Sequence, residues 1–265
     1  MKKSPLFITA FSFLALILLL STACVTTPKN ETDKEGQPKD IKGARYTLHY
    51  NTGLSRLGAG KPTYAMVEFI EAEKYKKTPE LYYAMGQTCY ELKRYALSLD
   101  YFDKTLFMDK DFSKAYVGKG IVLIAMERYD EAIVQLKKSL ENIIFHEPES
   151  AYYNIAVAYA KMNNYEGAVE NLKTAIRLKP EYIPPYLELA RIYRKMGRFD
   201  LSESVLQEAL EQYPELAQAH YMLGIIYLEQ KRSLAAKMEF SEVIKLVPDT
   251  PLAREAEKYL KGLEN

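Results

Sequence analysis

Three histidines and two glycine-rich stretches are the residues with the clearest capacity for catalysis in this 265-residue chain. Histidine titrates near neutral pH and ligates metals, but His49, His146 and His220 stand in separate parts of the sequence. The stretch GLSRL at 53–57 lacks the second glycine of a nucleophile elbow. GAGKP at 58–62 lacks the spacing of a phosphate-binding loop. We therefore expect no enzyme activity, no metal site, no cofactor and no small-molecule substrate.

Cys24 is the one residue whose position predicts covalent chemistry. It follows Lys2 and Lys3, an apolar run from Leu6 to Leu20 and a few small residues, which is the order of a secretory signal. The run is shorter than the roughly 20 residues that span a bilayer as a helix. With Ala23 before it, Cys24 resembles the lipidated cysteine of bacterial lipoproteins, so residues 1–23 are predicted to be a lipoprotein signal peptide.

Two features near Cys24 affect where the protein would reside. Lipoprotein signals usually carry Leu, Val or Ile three residues before the cysteine, whereas this chain has Ser21 there. Ser21 and Ala23 would also suit ordinary signal peptidase, which leaves a soluble periplasmic or secreted protein as the alternative. Val25 stands where an Asp would retain an enterobacterial lipoprotein in the inner membrane, which favours the outer membrane, facing the periplasm.

Residues 24–44 are predicted to form a flexible tether between the lipid and the folded part. The stretch VTTPKNETDKEGQPKDIKG is nearly free of apolar side chains, so it cannot bury enough surface to offset the entropy of ordering. Over the whole chain the formal net charge is +1. A nucleic-acid partner is therefore not expected, because a phosphate-binding face needs a surplus of Lys and Arg.

Four residue types recur with a period close to 34 through most of the remaining chain. All offsets are counted from a small residue, here called the marker. A second small residue follows the marker by 12 positions, a large apolar residue follows it by 16, and an aromatic ring precedes it by four. The markers are Gly53, Gly86, Gly120, Ala156, Ala190 and Gly224. This pattern resembles the tetratricopeptide repeat, whose unit is a pair of antiparallel helices.

The resemblance predicts an all-α fold, a right-handed α-solenoid of six tetratricopeptide helix hairpins over residues 45–248. A small marker lets the two helices of a hairpin approach closely, and stacking buries the apolar face that a single hairpin leaves exposed. Residues 249–265 are predicted to form a capping helix, with Leu252, Ala256, Tyr259 and Leu260 on one apolar stripe.

Two features depart from the regular pattern, and Cys89 stands at a regular position. The third and fourth markers are 36 residues apart, which places two extra residues within ENIIFHEPES and predicts a bend or a looser contact. Lys119 occupies a column that is otherwise apolar, so its amine must reach solvent or distort its turn. Cys89 falls in a core column and is expected to be a buried, inert thiol.

Repeats of this class bind protein partners along the first helices of their hairpins. Residues three before, one after and four after each marker should line that groove, which here is apolar and rich in tyrosine, as suits an amphipathic helix or an extended apolar segment. A ladder of Lys, Arg and Asn for a free carboxylate is missing apart from Arg191 and Arg194. The candidate groove residues are Tyr50, Leu54, Leu57, Tyr83, Gln87, Tyr90, Ile121, Tyr153, Arg191, Arg194 and Tyr221.

The combination of lipoprotein signal, polar tether, six repeats and helical end is similar to the pilotins of type IV pilus systems. The segment PESAYYNIAVAYAKMNNYEGA carries part of that resemblance. It implies an outer-membrane lipoprotein that helps a secretin subunit to reach the membrane and assemble, with Tyr50, Leu54, Tyr83 and Tyr90 contacting the partner. Other cell-envelope roles stay open, such as outer-membrane protein assembly or an adaptor for peptidoglycan enzymes.

Overall fold

The computed structural model describes residues 41–264, and every regular element in that part of the chain is an α-helix. Predicted segments 1–23 and most of 24–44, with Cys24, lie outside the described residues. The first helix begins at Ile41, four residues ahead of the predicted start of the repeats. The helices are α1 Ile41–Gly58, α2 Pro62–Glu73, α3 Pro79–Glu91, α4 Tyr95–Met108, α5 Ser113–Ala125, α6 Tyr129–Ser139, α7 Pro148–Lys161, α8 Tyr165–Leu178, α9 Pro184–Lys195, α10 Phe199–Gln212, α11 Ala217–Glu229, α12 Ser233–Leu246 and α13 Pro251–Glu264.

Consecutive helices pair into six hairpins, α3–α4 through α11–α12 and, through contacts of Gly53 with Phe69 and of His49 with Glu68, α1–α2; α13 packs on the last of them. This confirms the predicted α-solenoid class. Proline begins several of the helices, where its missing N–H costs nothing. Thr78 caps α3 by accepting a hydrogen bond from the Leu81 amide at 3.1 Å, and Asn164 caps α8 through the Gly167 amide at 3.0 Å.

Each hairpin turns through one residue in the left-handed backbone region, always seven positions after the marker. The φ angles there lie between 56° and 70°. Glycine adopts this conformation at little cost, whereas a lysine or glutamate at the same place is strained. The six turn residues are Gly60, Lys93, Glu127, Asn163, Gly197 and Lys231.

The small marker residue abuts the large apolar residue 16 positions later, as the spacing predicts. A Cβ built on Gly86 would lie 2.7 Å from Cε1 of Phe102, so the two helices pack closer than an alanine there allows. Where the marker is alanine, as at Ala156, the residue 16 positions on is the smaller Leu172, and both are fully buried. In five of the six hairpins a larger marker thus goes with a smaller partner, as close packing favours, whereas the third hairpin pairs Gly120 with Leu136.

The irregular positions are accommodated without breaking the stack. The two extra residues fall in the loop between α6 and α7, where Ile143 is fully exposed and Ile144 is 73% exposed. The amine of Lys119 reaches Asp103 at 2.5 Å, so the lysine extends to the surface and α5 stays helical. Cys89 is a buried free thiol whose pKa is raised to about 11 by burial, and it is therefore unreactive near neutral pH.

Helix α13 covers the end of the sixth hairpin. Tyr259 stacks on the ring of Phe240 with centroids 5.0 Å apart, and Ala253 and Ala256 are buried against the same hairpin. Thr250 accepts a hydrogen bond from the amide of Ala253 at 3.2 Å and so caps the helix. None of the described helices is both long enough and apolar enough to cross a bilayer.

Candidate binding groove

Two of the three histidines occupy structural positions between helices. His49 and His220 hold the same place in the first and sixth hairpins, and each Nδ1 lies 2.7 Å from a glutamate of the paired helix, Glu68 and Glu239 respectively. His146 is exposed in the loop before α7. Within residues 41–264 no three His, Cys, Asp or Glu side chains are grouped as metal ligands.

One cavity opens between the first helices of the second and third hairpins. Its volume is about 240 Å³, which is below the usual range for a small-molecule site and suits one or two side chains of a protein ligand. Four of the predicted groove residues, from two neighbouring helices, meet there. They are Tyr83, Gln87, Tyr90 and Ile121.

The floor and walls of the cavity are apolar and its rim is charged. Tyr83 contacts Phe102 and Phe112 at centroid distances of 5.8 and 5.2 Å, and burial raises the pKa of its hydroxyl to about 12. At the rim the amine of Lys114 lies 2.7 Å from the carboxylate of Glu147. This combination of aromatic walls and polar edge is typical of pockets that receive an anchoring side chain.

Part of this cavity was not predicted from the repeat pattern. Phe145 and Glu147 belong to the extended loop before α7, and Lys114 lies at the start of α5. The signal that could have indicated them is the 36-residue step, because its extra length delivers the loop to the groove. The insertion therefore supplies one wall of the cavity.

The predicted groove residues of the first hairpin lie beyond this cavity. Tyr50 stacks on Tyr46 with centroids 5.5 Å apart and planes 7° apart, and it also contacts Phe69 at 6.0 Å. Leu57 is half-buried in the same apolar cluster, whereas Leu54 is exposed. Only part of this predicted contact surface is therefore free for a ligand.

The predicted cationic positions are neutralised by carboxylates. Arg191 forms a two-pronged ion pair with Glu188 on its own helix, and Arg194 lies 2.7 Å from Glu229 of the next hairpin's first helix. A guanidinium that is already paired gives up that pairing in order to bind a new anion. The two arginines therefore form no ladder for the free carboxylate of a peptide.

The remaining two tyrosines of the predicted groove have partners within the fold. Tyr153 meets the ring of Tyr182 edge-on at 5.8 Å. Tyr221 donates a hydrogen bond to Glu255 of α13 at 3.0 Å and contacts Tyr259 at 6.3 Å. The capping helix thus engages the groove position of the sixth hairpin.

Tetratricopeptide repeat family models match the chain at residues 79–111, 113–142, 150–182 and 187–251, together more than half of its length. The chain belongs to the tetratricopeptide repeat proteins, and it is a protein-binding scaffold of that class. Its fold is similar to that of PilW, a widely conserved type IV pilus biogenesis factor, with a TM-score of 0.71 and 17% identity over 80% of this chain and 98% of PilW. PilF of Pseudomonas aeruginosa is similar at a TM-score of 0.66 and 16% identity, over 82% and 98% of the two chains.

Other similar proteins share the repeat. YrrB, a tetratricopeptide protein with an unusual peptide-binding site, is 25% identical over 72% of this chain and 97% of its own, with a TM-score of 0.52. CCR4-NOT transcription complex subunit 10-B of Xenopus laevis is 27% identical over 166 residues, 60% of this chain and 20% of that protein. The chain spans about a fifth of the length of the curated relatives it matches.

Proposed function

We propose that the protein is a cell-envelope lipoprotein that assists type IV pilus biogenesis by binding a secretin subunit and helping it to localise and assemble. The concave groove would hold the partner, and lipid on Cys24 would hold the scaffold on the outer membrane, facing the periplasm. The observation that carries the proposal is the apolar cavity between the second and third hairpins, which can receive a partner's side chain.

The similarity to PilW and PilF supports the pilus context. It extends over 98% of each of those chains, and so over nearly the whole of each of those folds. At 17% and 16% identity the similarity concerns the fold, and the choice of partner therefore depends on the groove. Its tyrosines provide large, rigid contact area at low entropic cost, which favours a protein ligand.

Removing two cavity tyrosines should abolish partner binding. In cells lacking the protein we expect loss of secretin multimers and surface pili, with recovery on supplying the wild-type chain. The double variant Tyr83→Ala, Tyr90→Ala should not restore them, because about 2 kcal/mol or more is typical for each anchoring aromatic residue. Secretin multimers are measured by immunoblotting, and capture of the purified secretin subunit is measured directly.

Two further variants keep this test interpretable. Gln87 is exposed at the cavity mouth, so Gln87→Arg should obstruct entry without disturbing the core. Tyr213 is exposed on the fifth hairpin, away from the cavity, and Tyr213→Ala should behave as wild type. Unchanged multimers and pili in the deletion strain would refute the secretin role, whereas normal capture by Gln87→Arg would refute the cavity as the binding site.

Loss of the Cys24 thiol should release the protein from the membrane. The variant Cys24→Ser cannot accept the thioether-linked lipid, and without acyl chains stable anchoring is lost. After cell fractionation we expect the variant in the soluble periplasmic fraction and the wild type with the outer membrane. Cys89→Ser serves as the matched control, because that buried thiol plays no part in attachment. Equal membrane association of Cys24→Ser and wild type would contradict lipidation.

A further inference from the structure

The first hairpin carries a positive charge that the rest of the described chain balances. Residues 41–77 contain seven Lys and Arg against three Glu, a net charge of +4. Residues 78–264 contain 24 Lys and Arg against 28 Asp and Glu, a net charge of −4. The overall neutrality of the folded region therefore conceals a strong asymmetry between its N-terminal hairpin and the remainder.

The few acidic groups of this hairpin already have partners. Glu68 forms an ion pair with Arg56 at 3.0 Å, and Glu71 forms one with Lys74 at 2.5 Å. The third, Glu73, accepts a hydrogen bond from a tyrosine hydroxyl of the next hairpin at 2.9 Å. Two of the three carboxylates are thus paired with cations of the same hairpin, and Glu73 alone does not balance the remaining basic side chains.

Several lysines of the hairpin have no such partner. Lys42, Lys61 and Lys77 are exposed, and among residues 41–264 no carboxylate lies within 4.0 Å of their amines. The amine of Lys76 lies over the ring of Tyr46 at 5.9 Å and likewise has no carboxylate in ion-pair range in this part of the chain. The hairpin thus presents unpaired positive charge to its surroundings.

The outer face of α2 is apolar where later hairpins are mostly polar. Tyr64, Val67 and Ile70 are 61%, 54% and 45% exposed, and their spacing of three residues places them on one side of the helix. Lys61 lies three residues before Tyr64, at the start of the same apolar stripe. The residues aligned with Val67 in hairpins two to six are Asp100, Val134, Glu170, Ser204 and Met238, and those aligned with Ile70 are Asp103, Lys137, Lys173, Gln207 and Ser241.

We propose that this outer face of α2 is a peripheral binding surface for an anionic lipid bilayer. An apolar helix face bordered by lysines lies in the plane of a membrane interface, with the apolar side chains at the boundary of the acyl chains and the amines at the phosphates. Lysines at such a surface are attracted by the negative potential of anionic lipids. Of the six hairpins this one follows Cys24 most closely in the sequence, and the proposed surface does not depend on lipid at that cysteine.

The composition of the surface favours lipid over the other anionic partners. Nucleic acid would be held by charge alone and would leave the three apolar side chains in water. A stable protein interface buries about 800 Å² on each partner and has a well-packed centre, which three side chains on one convex helix do not provide. Headgroups and acyl chains together satisfy both the charge and the apolar stripe.

Because the chain contains no tryptophan, one introduced tryptophan reports on its own surroundings. We would place it at Val67→Trp in the full chain and, as a matched control, at Met238→Trp, which is the aligned position of the sixth hairpin and is likewise exposed. On addition of phosphatidylglycerol vesicles, emission from position 67 should shift to shorter wavelength and be quenched by brominated lipid, while position 238 should not respond. Adding Lys61→Glu and Lys77→Glu to Val67→Trp should abolish the shift.

The results that would contradict membrane binding are equally specific. The proposal is overturned by an absent shift at position 67, by an equal shift with phosphatidylcholine vesicles, or by an equal shift at position 238. A shift that grows with protein concentration in the absence of vesicles would assign this face to a second copy of the chain instead. Circular dichroism of each variant confirms that the exposed substitutions leave the helices intact.

Discussion

Replacing Phe240 with alanine should cost about 3–5 kcal/mol and unfold the C-terminal end of the array before the rest. The ring is fully buried, stacks on Tyr259 of α13 and contacts Tyr221 of α11 at 5.9 Å, so it joins three helices. In a solenoid each hairpin contacts its neighbours only, and the damage should remain local. Hydrogen exchange should show protection lost in α11–α13 and retained in α3 and α4.

Met238→Ala is the matched control for this substitution. Met238 lies on the same helix, two residues away, and is 67% exposed, so its truncation should change stability by less than about 0.5 kcal/mol. Equal loss of protection in all hairpins after Phe240→Ala would contradict local stacking. A loss no larger than that of the control would show that the ring does not hold the capping helix.

Replacing Gly86 with alanine should destabilise the second hairpin by about 2 kcal/mol, although alanine is the better helix former. The added Cβ would lie 2.7 Å from Cε1 of Phe102, and the ring has little room to move because it also lies close against Gly118 of α5, where a Cβ would be 2.5 Å from Cζ. The ring is thus held between the backbones of α3 and α5. Chemical denaturation of the variant measures the loss.

A second substitution should relieve the clash. The fourth and fifth hairpins combine an alanine marker with leucine, so Phe102→Leu in the Gly86→Ala background should lose less than the sum of the two single variants, by about 1 kcal/mol or more. Gly262→Ala is the control, because nothing lies within 4 Å of its added Cβ and a small gain from helix propensity is expected. If the free-energy losses of the two single variants simply add in the double variant, the smaller ring position does not compensate for the larger marker.

The stacking of hairpins could be predicted from the sequence because it depends on residues at fixed offsets within each repeat. A marker such as Gly86, a partner 16 positions later and a closing turn recur at fixed offsets, and one period defines all of them. Even the exceptional Lys119 follows a simple physical rule, since a buried amine must reach solvent or a carboxylate. The hairpins and the final helix were therefore predictable.

The contacts made by the groove residues were less predictable. A position in the repeat indicates the side of the helix on which a residue lies, but it does not indicate which side chain that residue contacts. The spacing places Arg191 and Tyr221 on the binding side of their helices, yet it cannot show that Glu188 and Glu255 engage them. Contacts of this kind depend on side chains that vary from hairpin to hairpin without a period. The approach of Phe145 to the cavity is likewise a property of one irregular loop.

The loop between α6 and α7 forms part of the cavity but does not belong to any helix of the array. The cavity receives Phe145 and Glu147 from a segment that bears no helix of the array, between Ser139 and Pro148. Phe145 also packs on the apolar cluster of the adjoining helices, whereas the exposed Ile143 and Ile144 can change without repacking any helix, in the manner of a variable loop on a constant framework. New ligand preferences can therefore evolve, or be engineered, at this junction while the scaffold keeps its stability.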